Sequence, residues 1–174
     1  EKILESLGQT VVTEAINPND NAEQEIKKII SKAHGPQIDA DDVLIASSGA
    51  NAFTSVFRSA LELSRNKKKE IWIRVGWLYL DTIEIMDLLR EPKEKIIDLH
   101  TAEEFETIEE IFYQHGNKIA GVVTEFPSNP LLHSCNLEKV RELTNRYESL
   151  LIVDPTMASP KNAKVSGYAD VVIN

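Results

Sequence analysis

The sequence lacks several features that would assign it to a class at once. Its 174 residues include one cysteine, Cys135, so no internal disulfide framework can form. A lone cysteine fits a reducing compartment, and we expect a cytoplasmic protein. The four histidines are scattered, which leaves no metal-ligand spacing. No apolar run approaches the roughly 20 residues that span a bilayer, so we expect no membrane partner.

An excess of basic residues is also missing. Nineteen Lys and Arg residues face 28 Asp and Glu residues, and the formal net charge is −9. This balance argues against nucleic acid or an anionic membrane surface as a partner. It leaves room for a small anion, because backbone N–H groups bind phosphate even in acidic proteins. A hydrophobic content of 42% and a charged content of 27% are ordinary for one globular domain.

What the sequence has is a regular alternation of strand and helix patterns. Strands are predicted at residues 43–46, 71–75, 95–99, 119–124, 150–153 and 170–173. Helices are predicted at residues 22–33, 52–64, 82–89, 102–115 and 136–148. Residues 1–21 lack a steady period, so they are predicted to be an arm or partial helix. The alternation predicts an α/β fold, a three-layer α/β/α sandwich with a mostly parallel sheet.

The first motif follows the predicted strand 43–46, where residues 47–52 read Ser-Ser-Gly-Ala-Asn-Ala. Ser48, Gly49 and Ala50 open a helix, so free N–H groups and the positive end of the helix dipole face one point. Phosphate can bind there without a basic side chain. The alternative is an ordinary turn in which Ser caps the helix and Gly eases the corner.

Two further motifs follow other strands. Residues 76–82 read Gly-Trp-Leu-Tyr-Leu-Asp-Thr, and an aromatic ring at a strand's carboxyl end can stack on a planar heterocycle. The alternative is that these rings only pack the core. Residues 124–132 read Thr-Glu-Phe-Pro-Ser-Asn-Pro-Leu-Leu, in which two prolines restrict the backbone around Asn129. Such rigidity favours a binding loop over a mere Pro-rich turn.

The fourth motif is Asp154, delivered by the hydrophobic strand at 150–153. A carboxylate at this place can pair with a ring nitrogen and keep it protonated, because a negative charge raises that nitrogen's pKa. Thr156 can support the edge of the same ring. The alternative is an aspartate that caps the next turn before Pro155.

In order and spacing these motifs resemble the pyridoxal-phosphate (PLP) enzymes of cysteine and methionine metabolism, the cystathionine gamma-synthase family. The fungal-type synthases are most similar, since they read Pro-Tyr-Val-Asp-Thr where residues 78–82 read Leu-Tyr-Leu-Asp-Thr. Family members also read Ser-Gly-Met, Glu-Phe-Pro-Ser-Asn-Pro-Leu, Val-Asp-Asn-Thr and Tyr-Ala-Asp-Val-Val-Val. Ala50 and Pro155 depart from these patterns. The likeness runs from about Ala22 to Asn174.

The resemblance implies PLP as the cofactor and a role for each motif. Ser48, Gly49 and Ala50 would hold the phosphate. Tyr79 would stack on the ring, with Trp77 as the second choice. Asn129 would bind the phenolic oxygen or a substrate carboxylate. Asp154 would bind the pyridine nitrogen, supported by Thr156.

The resemblance also implies that residues 22–174 are an incomplete large domain of the PLP-dependent transferase fold type I. In the family, Ser-X-Thr-Lys follows the last strand, and its lysine forms the Schiff base. That lysine is expected just beyond Asn174, so no residue present is predicted to be catalytic. The chain alone is expected to be inactive. Lys161 and Lys164 precede the last strand and are predicted to be solvated, while His133 and Cys135 are assigned to surface or packing roles.

For the parent protein the resemblance implies gamma-replacement on an O-acylhomoserine by cysteine. Two alternatives remain open: a PLP-dependent beta- or gamma-lyase on the same scaffold, and a non-catalytic domain that binds a partner. The expected partners are a small amino-acid substrate and further copies of the chain, as a homodimer or higher homo-oligomer.

Overall fold

A computed structural model describes residues 21–102 and 105–174 of the chain. The predicted arm, residues 1–21, lies outside the described residues except for Asn21. Among the described residues, no helix is both long enough and apolar enough to cross a membrane.

The alternation of helices and strands is confirmed along the described chain. The helices are α1 Ala22–His34, α2 Gly49–Asn66, α3 Leu80–Leu89, α4 Phe105–His115, α5 Leu137–Arg146 and α6 Ser159–Asn162. The strands are β1 Ile71–Val75, β2 Lys95–Leu99, β3 Ile119–Glu125, β4 Leu150–Asp154 and β5 Val171–Val172. Two short 3₁₀ helices at Ala40–Asp42 and Gly116–Lys118, and the four-residue α6, were not predicted.

The five strands form one sheet in the order β2-β1-β3-β4-β5, and every neighbouring pair is parallel. All residues of β1 and β3 are buried, as expected of central strands covered on both faces. The predicted parallel sheet is therefore confirmed.

Helices cover both faces of the sheet, which confirms the three-layer sandwich. On one face α2 and α3 pack Phe57 and Met86 against Trp72 of β1 and Ile152 of β4. On the other face α4 and α5 pack against the alternate side chains of the same strands. That second cluster includes Ile73, Ile108, Phe112, Val140 and Leu151.

The predicted strand at residues 43–46 is wrong. Val43 has extended backbone angles and is buried, but Leu44 is 88% exposed and Ile45 is 48% exposed. An apolar run favours an extended backbone, yet a strand also needs a neighbour to complete its hydrogen-bond ladder. None of the described strands pairs with this segment, which leads instead into the cap of α2.

A buried arginine ties α3 to the sheet through ion pairs with two exposed carboxylates. Arg74 of β1 is 7% exposed and donates to both carboxylate oxygens of Asp98 in β2, at 2.5 and 2.9 Å. Its third contact is with Asp87 of α3, at 3.1 Å. A bidentate guanidinium–carboxylate pair restrains direction as well as distance. Arg74 also donates to Ile83 O at 3.2 Å, so two of its contacts tie α3 to the sheet.

Candidate active site

A cavity of about 400 Å³ opens at the carboxyl ends of the strands, on the face covered by α2 and α3. Its volume lies within the roughly 300–1,000 Å³ range typical of small-molecule sites. Phe53, Ile85 and Ile173 contribute to its apolar walls. Six of the seven predicted cofactor ligands line it: Gly49, Ala50, Tyr79, Asn129, Asp154 and Thr156.

The seventh predicted ligand, Ser48, acts as the N-cap of α2. Its backbone is extended, and its Oγ accepts a hydrogen bond from the Asn51 N–H at 3.2 Å. Ser48 O accepts from the Ala52 N–H at 2.9 Å. Among the described residues no acceptor meets the N–H groups of Gly49 and Ala50. Two free donors therefore stand at the positive end of the helix, beside the cavity.

The space beside Gly49 is open. A Cβ built on this glycine would meet no atom within 4 Å, and its backbone is not in the left-handed region. Neither packing nor backbone geometry therefore requires glycine here. The missing side chain leaves room for a ligand close to the two free N–H groups.

The loop between β1 and α3 brings Tyr79 to the cavity. It begins at Gly76, whose φ of +79° favours glycine. Leu78 is buried, whereas Tyr79 is 59% exposed and lines the cavity. Trp77 is also exposed, at 55%, but is not one of the lining residues. Of the two aromatic candidates, only Tyr79 reaches the cavity.

The loop after β3 is held by its own hydrogen bonds. Both proline peptide bonds, Phe126-Pro127 and Asn129-Pro130, are cis. Ser128 is buried; its N–H donates to His133 O at 2.9 Å, and its Oγ accepts from the His133 N–H at 3.2 Å. Asn129 is exposed at the cavity, and no described residue contacts its side-chain amide by a hydrogen bond. That amide is free to bind a ligand.

Asp154 ends β4 and combines both roles weighed from the sequence. Its Oδ1 accepts a hydrogen bond from the Thr156 N–H at 2.8 Å, which is the turn-capping role. Its Oδ2 has no hydrogen-bond partner among the described residues, while the side chain lines the cavity. One oxygen therefore orients the carboxylate, and the other remains available.

Glu125, to which the sequence analysis assigned no role, is the buried carboxylate of the site. It ends β3, lines the cavity and is 7% exposed. Its Oε1 accepts from the Tyr79 N–H, and its Oε2 accepts from the Asn129 N–H at 3.2 Å. Burial raises the pKa of this carboxyl and the charge of Asp154 adds to that rise, while the two N–H bonds oppose it. The available signal was a carboxylate directly after a buried strand, the same signal that identified Asp154.

The ionisable side chains that line the cavity are acidic. Asp81, Glu125 and Asp154 line it, and none of the lining residues in the described ranges is Lys, Arg or His. An anionic ligand would therefore depend on backbone N–H groups. Within the same ranges, no group of three or more His, Cys, Asp and Glu side chains is arranged to hold a metal ion.

The residues predicted to lie outside the site do so. Lys161 and Lys164 are exposed and do not line the cavity, as expected for solvated lysines. His133 is exposed. Cys135 is buried, with its Sγ 3.8 Å from Thr124 Oγ1, and burial raises the pKa of its thiol.

Comparisons with known proteins found a matching family and similar sequences. The model of the family described as "Cys/Met metabolism PLP-dependent enzyme" matches residues 16–174. A dechlorinase/desaturase of L-2-amino-4-chloropent-4-enoate from Streptantibioticus cattleyicolor is 29% identical over 147 residues, covering 84% of this chain and 29% of its own length. A cystathionine gamma-synthase-like enzyme, iboG1, from Amanita muscaria is 29% identical over 158 residues, covering 87% and 26%.

Solved structures show the same fold. The cystathione gamma lyase CalE6 from Micromonospora echinospora superposes with a TM-score of 0.63 at 19% identity, over 86% of this chain and 37% of that one. At this identity the likeness concerns the fold alone. The chain spans between a quarter and a third of the length of the two curated relatives.

Proposed function

The chain belongs to the family of PLP-dependent enzymes of Cys/Met metabolism, and we propose on that premise that its cavity is the PLP site of a cystathionine gamma-synthase-like enzyme. One observation carries the proposal. Four segments far apart in the sequence, around Gly49, Tyr79, Asn129 and Asp154, line the same cavity. Convergence at the carboxyl ends of parallel strands is where α/β folds bind their ligands.

The donor groups of the cavity suit the phosphate of PLP. The free N–H groups of Gly49 and Ala50 supply hydrogen bonds to its oxygens, with Ser48 holding the helix start in shape. The direction of these N–H groups matters because, among the described residues, three carboxylates and no cationic side chain line the cavity. A phosphate is then attracted only near the positive end of α2, which orients the cofactor.

Other residues that line the cavity suit a pyridine ring. Asp154 Oδ2, which has no hydrogen-bond partner among the described residues, would accept a hydrogen bond from the ring nitrogen, and the nearby negative charge would raise the pKa of that nitrogen. Tyr79 would stack on the ring, Asn129 would bind its phenolic oxygen or a substrate carboxylate, and Thr156 would support its edge. Bound PLP with a protonated ring supplies an electron sink for negative charge at the substrate's Cα. This chain's residues supply the binding and the orientation.

For the parent protein we propose gamma-replacement on an O-acylhomoserine by cysteine. Support comes from the likeness to the Amanita muscaria cystathionine gamma-synthase-like enzyme over 87% of this chain.

Elimination is the second candidate, on the same scaffold. The relative from Streptantibioticus cattleyicolor is named as a dechlorinase/desaturase, a name that implies loss of a side-chain leaving group. Replacement and elimination share the cofactor site and differ in the second substrate. Incubating the full-length parent with an O-acylhomoserine, with and without cysteine, separates them: replacement requires cysteine, and elimination proceeds without it.

Association and location follow from the same premise. We propose that residues 22–174 form part of a fold type I large domain that associates as a homodimer or higher oligomer in the cytoplasm. Ile29 is 68% exposed and Leu44 is 88% exposed, an amount of uncovered apolar surface that favours association. Light scattering of the full-length parent tests this proposal.

Equilibrium dialysis of the chain against PLP tests the cofactor site without requiring activity. We expect Asp154→Asn to weaken binding about tenfold or more, because it removes a charge-assisted hydrogen bond while leaving an oxygen for the Thr156 N–H. Asp41→Asn, on an exposed aspartate outside the cavity, is the matched control. Equal affinity of wild type and Asp154→Asn would contradict the proposal.

A further inference from the structure

Glu125 is a buried carboxylate that the proposed set of cofactor ligands does not use. It lies at the end of β3 and is 7% exposed. Among the described residues, no cationic side chain forms a hydrogen bond or an ion pair with Glu125. A buried carboxylate without a cation costs stability, and an apolar side chain at a strand end would avoid that cost. Its presence beside the cavity therefore indicates another use.

The carboxylate joins two loops that approach the cavity from different strands. Oε1 accepts the N–H of Tyr79, from the loop between β1 and α3. Oε2 accepts the N–H of Asn129, from the loop after β3, at 3.2 Å. The two oxygens thus fix the backbone of two proposed ligands, the aromatic ring and the free amide.

The backbone beside Glu125 reaches a third proposed ligand. Glu125 lies opposite Asp154 in the register of β3 and β4. The next residue, Phe126, donates its N–H to Asp154 O at 2.8 Å. Tyr79, Asn129 and Asp154 are therefore each one hydrogen bond from the pair Glu125–Phe126.

We propose that Glu125 is a positioning residue, which holds the backbones of Tyr79 and Asn129 so that their side chains stand at fixed places relative to Asp154. The consequence for PLP rests on the proposed function, whereas the link between the two loops does not. Only a carboxylate serves both contacts, because it offers two acceptor oxygens to two N–H donors. A glutamine offers one oxygen and would turn an NH₂ group toward the second donor.

Amide hydrogen exchange of the 174-residue chain, followed by NMR without PLP, tests the link directly. In Glu125→Gln we expect exchange at the N–H groups of Tyr79 and Asn129 to accelerate about tenfold, since a lost hydrogen bond of this kind corresponds to about that factor. Exchange in the middle of β1 and β3 should stay at the wild-type rate. Glu110→Gln, an exposed glutamate on α4, is the control and should change neither.

PLP affinity, measured by dialysis on the same variants, tests the consequence. We expect Glu125→Gln to weaken binding about five- to tenfold and Glu125→Asp, which keeps both acceptors on a shorter chain, to lie between it and wild type. If Glu125→Gln fails to fold, by far-ultraviolet circular dichroism, Glu125→Asp carries both measurements.

Two results would overturn the proposal. Unchanged exchange at Tyr79 and Asn129 would show that Glu125 does not hold the loops. Faster exchange with unchanged PLP affinity, while Asp154→Asn still weakens binding, would show that the held loops do not position the ligand. If wild type binds no PLP, the proposed function fails, and the exchange rates still decide whether Glu125 links the loops.

Discussion

Glu125 and Asp154 lie opposite each other at the carboxyl ends of β3 and β4, and both line the same cavity. Their environments differ. Glu125 is buried and has both oxygens occupied by N–H groups, whereas Asp154 keeps one oxygen without a described partner. Two neighbouring carboxylates thus serve different purposes, one directed to the protein backbone and one to the cavity.

Gly49→Ala is expected to weaken PLP binding without lowering stability. A methyl group at this position meets no protein atom within 4 Å, but it enters the space beside the free N–H groups. We expect affinity to fall about tenfold and the melting temperature to stay or rise slightly, since alanine favours helices over glycine. Gly167→Ala is a matched control, because a Cβ there is equally unobstructed and lies outside the cavity. Equal affinities of the two variants would contradict the phosphate site.

The two exposed aromatic residues of the β1–α3 loop should respond differently to truncation. Tyr79→Ala removes a ring that lines the cavity, and stacking contributes roughly 0.5–1.5 kcal/mol beyond buried area, so we expect PLP affinity to fall about two- to tenfold. Trp77→Ala removes a ring of similar exposure outside the cavity and should leave affinity unchanged. Dialysis measures both. A larger effect at Trp77 would transfer the stacking role to that residue.

The stability of the chain should carry a pH dependence due to Glu125. The pKa of Glu125 in the folded chain is raised above the ordinary value of 4.5. At pH values between 4.5 and this raised pKa, the folded state therefore binds more protons than the unfolded state. The contribution of Glu125 to the free energy of unfolding therefore falls as pH rises through that window, and it is constant at higher pH. Asp154 and Asp81, the other carboxylates at the cavity, are present in both wild type and the variant Glu125→Gln.

Urea unfolding of wild type and Glu125→Gln across this pH range checks the direction in which the free energy of unfolding changes with pH. The unfolding free energy of wild type minus that of Glu125→Gln should decrease as pH rises above 4.5. A difference that increases over the same range would mean that the folded chain lowers the pKa of Glu125.

A further prediction concerns the ion pair between Arg74 and Asp98, which links the neighbouring strands β1 and β2. Asp98→Asn removes the charge that accepts two hydrogen bonds from the buried guanidinium of Arg74. We expect a loss of about 1–3 kcal/mol of unfolding free energy, measured in urea. Lys93→Gln removes a well-exposed charge from an ion pair with Glu91 and should change stability by less than about 0.5 kcal/mol. Equal losses would show that the Arg74–Asp98 pair stabilises the fold no more than an exposed ion pair does.

Much of the fold was predictable because strands and helices leave periodic patterns. The predicted bounds of β1 and β2, 71–75 and 95–99, are those of the structure, since turn residues flank both strands. Residues 43–46 were misassigned because an apolar pattern carries no information about whether a partner strand is present. The start of α2 was predicted at Ala52, three residues late, because the Ser48 cap extends the helix into Gly49.

Individual residues of the candidate site were predictable from the sequence only where the side chain itself carries a group that suits a ligand. Asp154 and Tyr79 follow strands and carry groups that suit a ring, so position and chemistry agreed. Glu125 has the same position, but its use depends on two backbone N–H groups, one of them 46 residues away in the sequence. A contact between a side chain and a distant backbone leaves no pattern in the sequence.

Titrating the isotopically labelled chain with PLP and following its backbone amides by NMR tests the proposal that this cavity binds PLP with its phosphate at the start of α2. We expect the N–H signals of Gly49 and Ala50 to shift most, and inorganic phosphate at higher concentration to shift the same two signals. Signals of the ring-proximal residues Tyr79 and Thr156 should respond to PLP and not to phosphate. Shifts that leave Gly49 and Ala50 unchanged at saturating PLP would contradict the proposal.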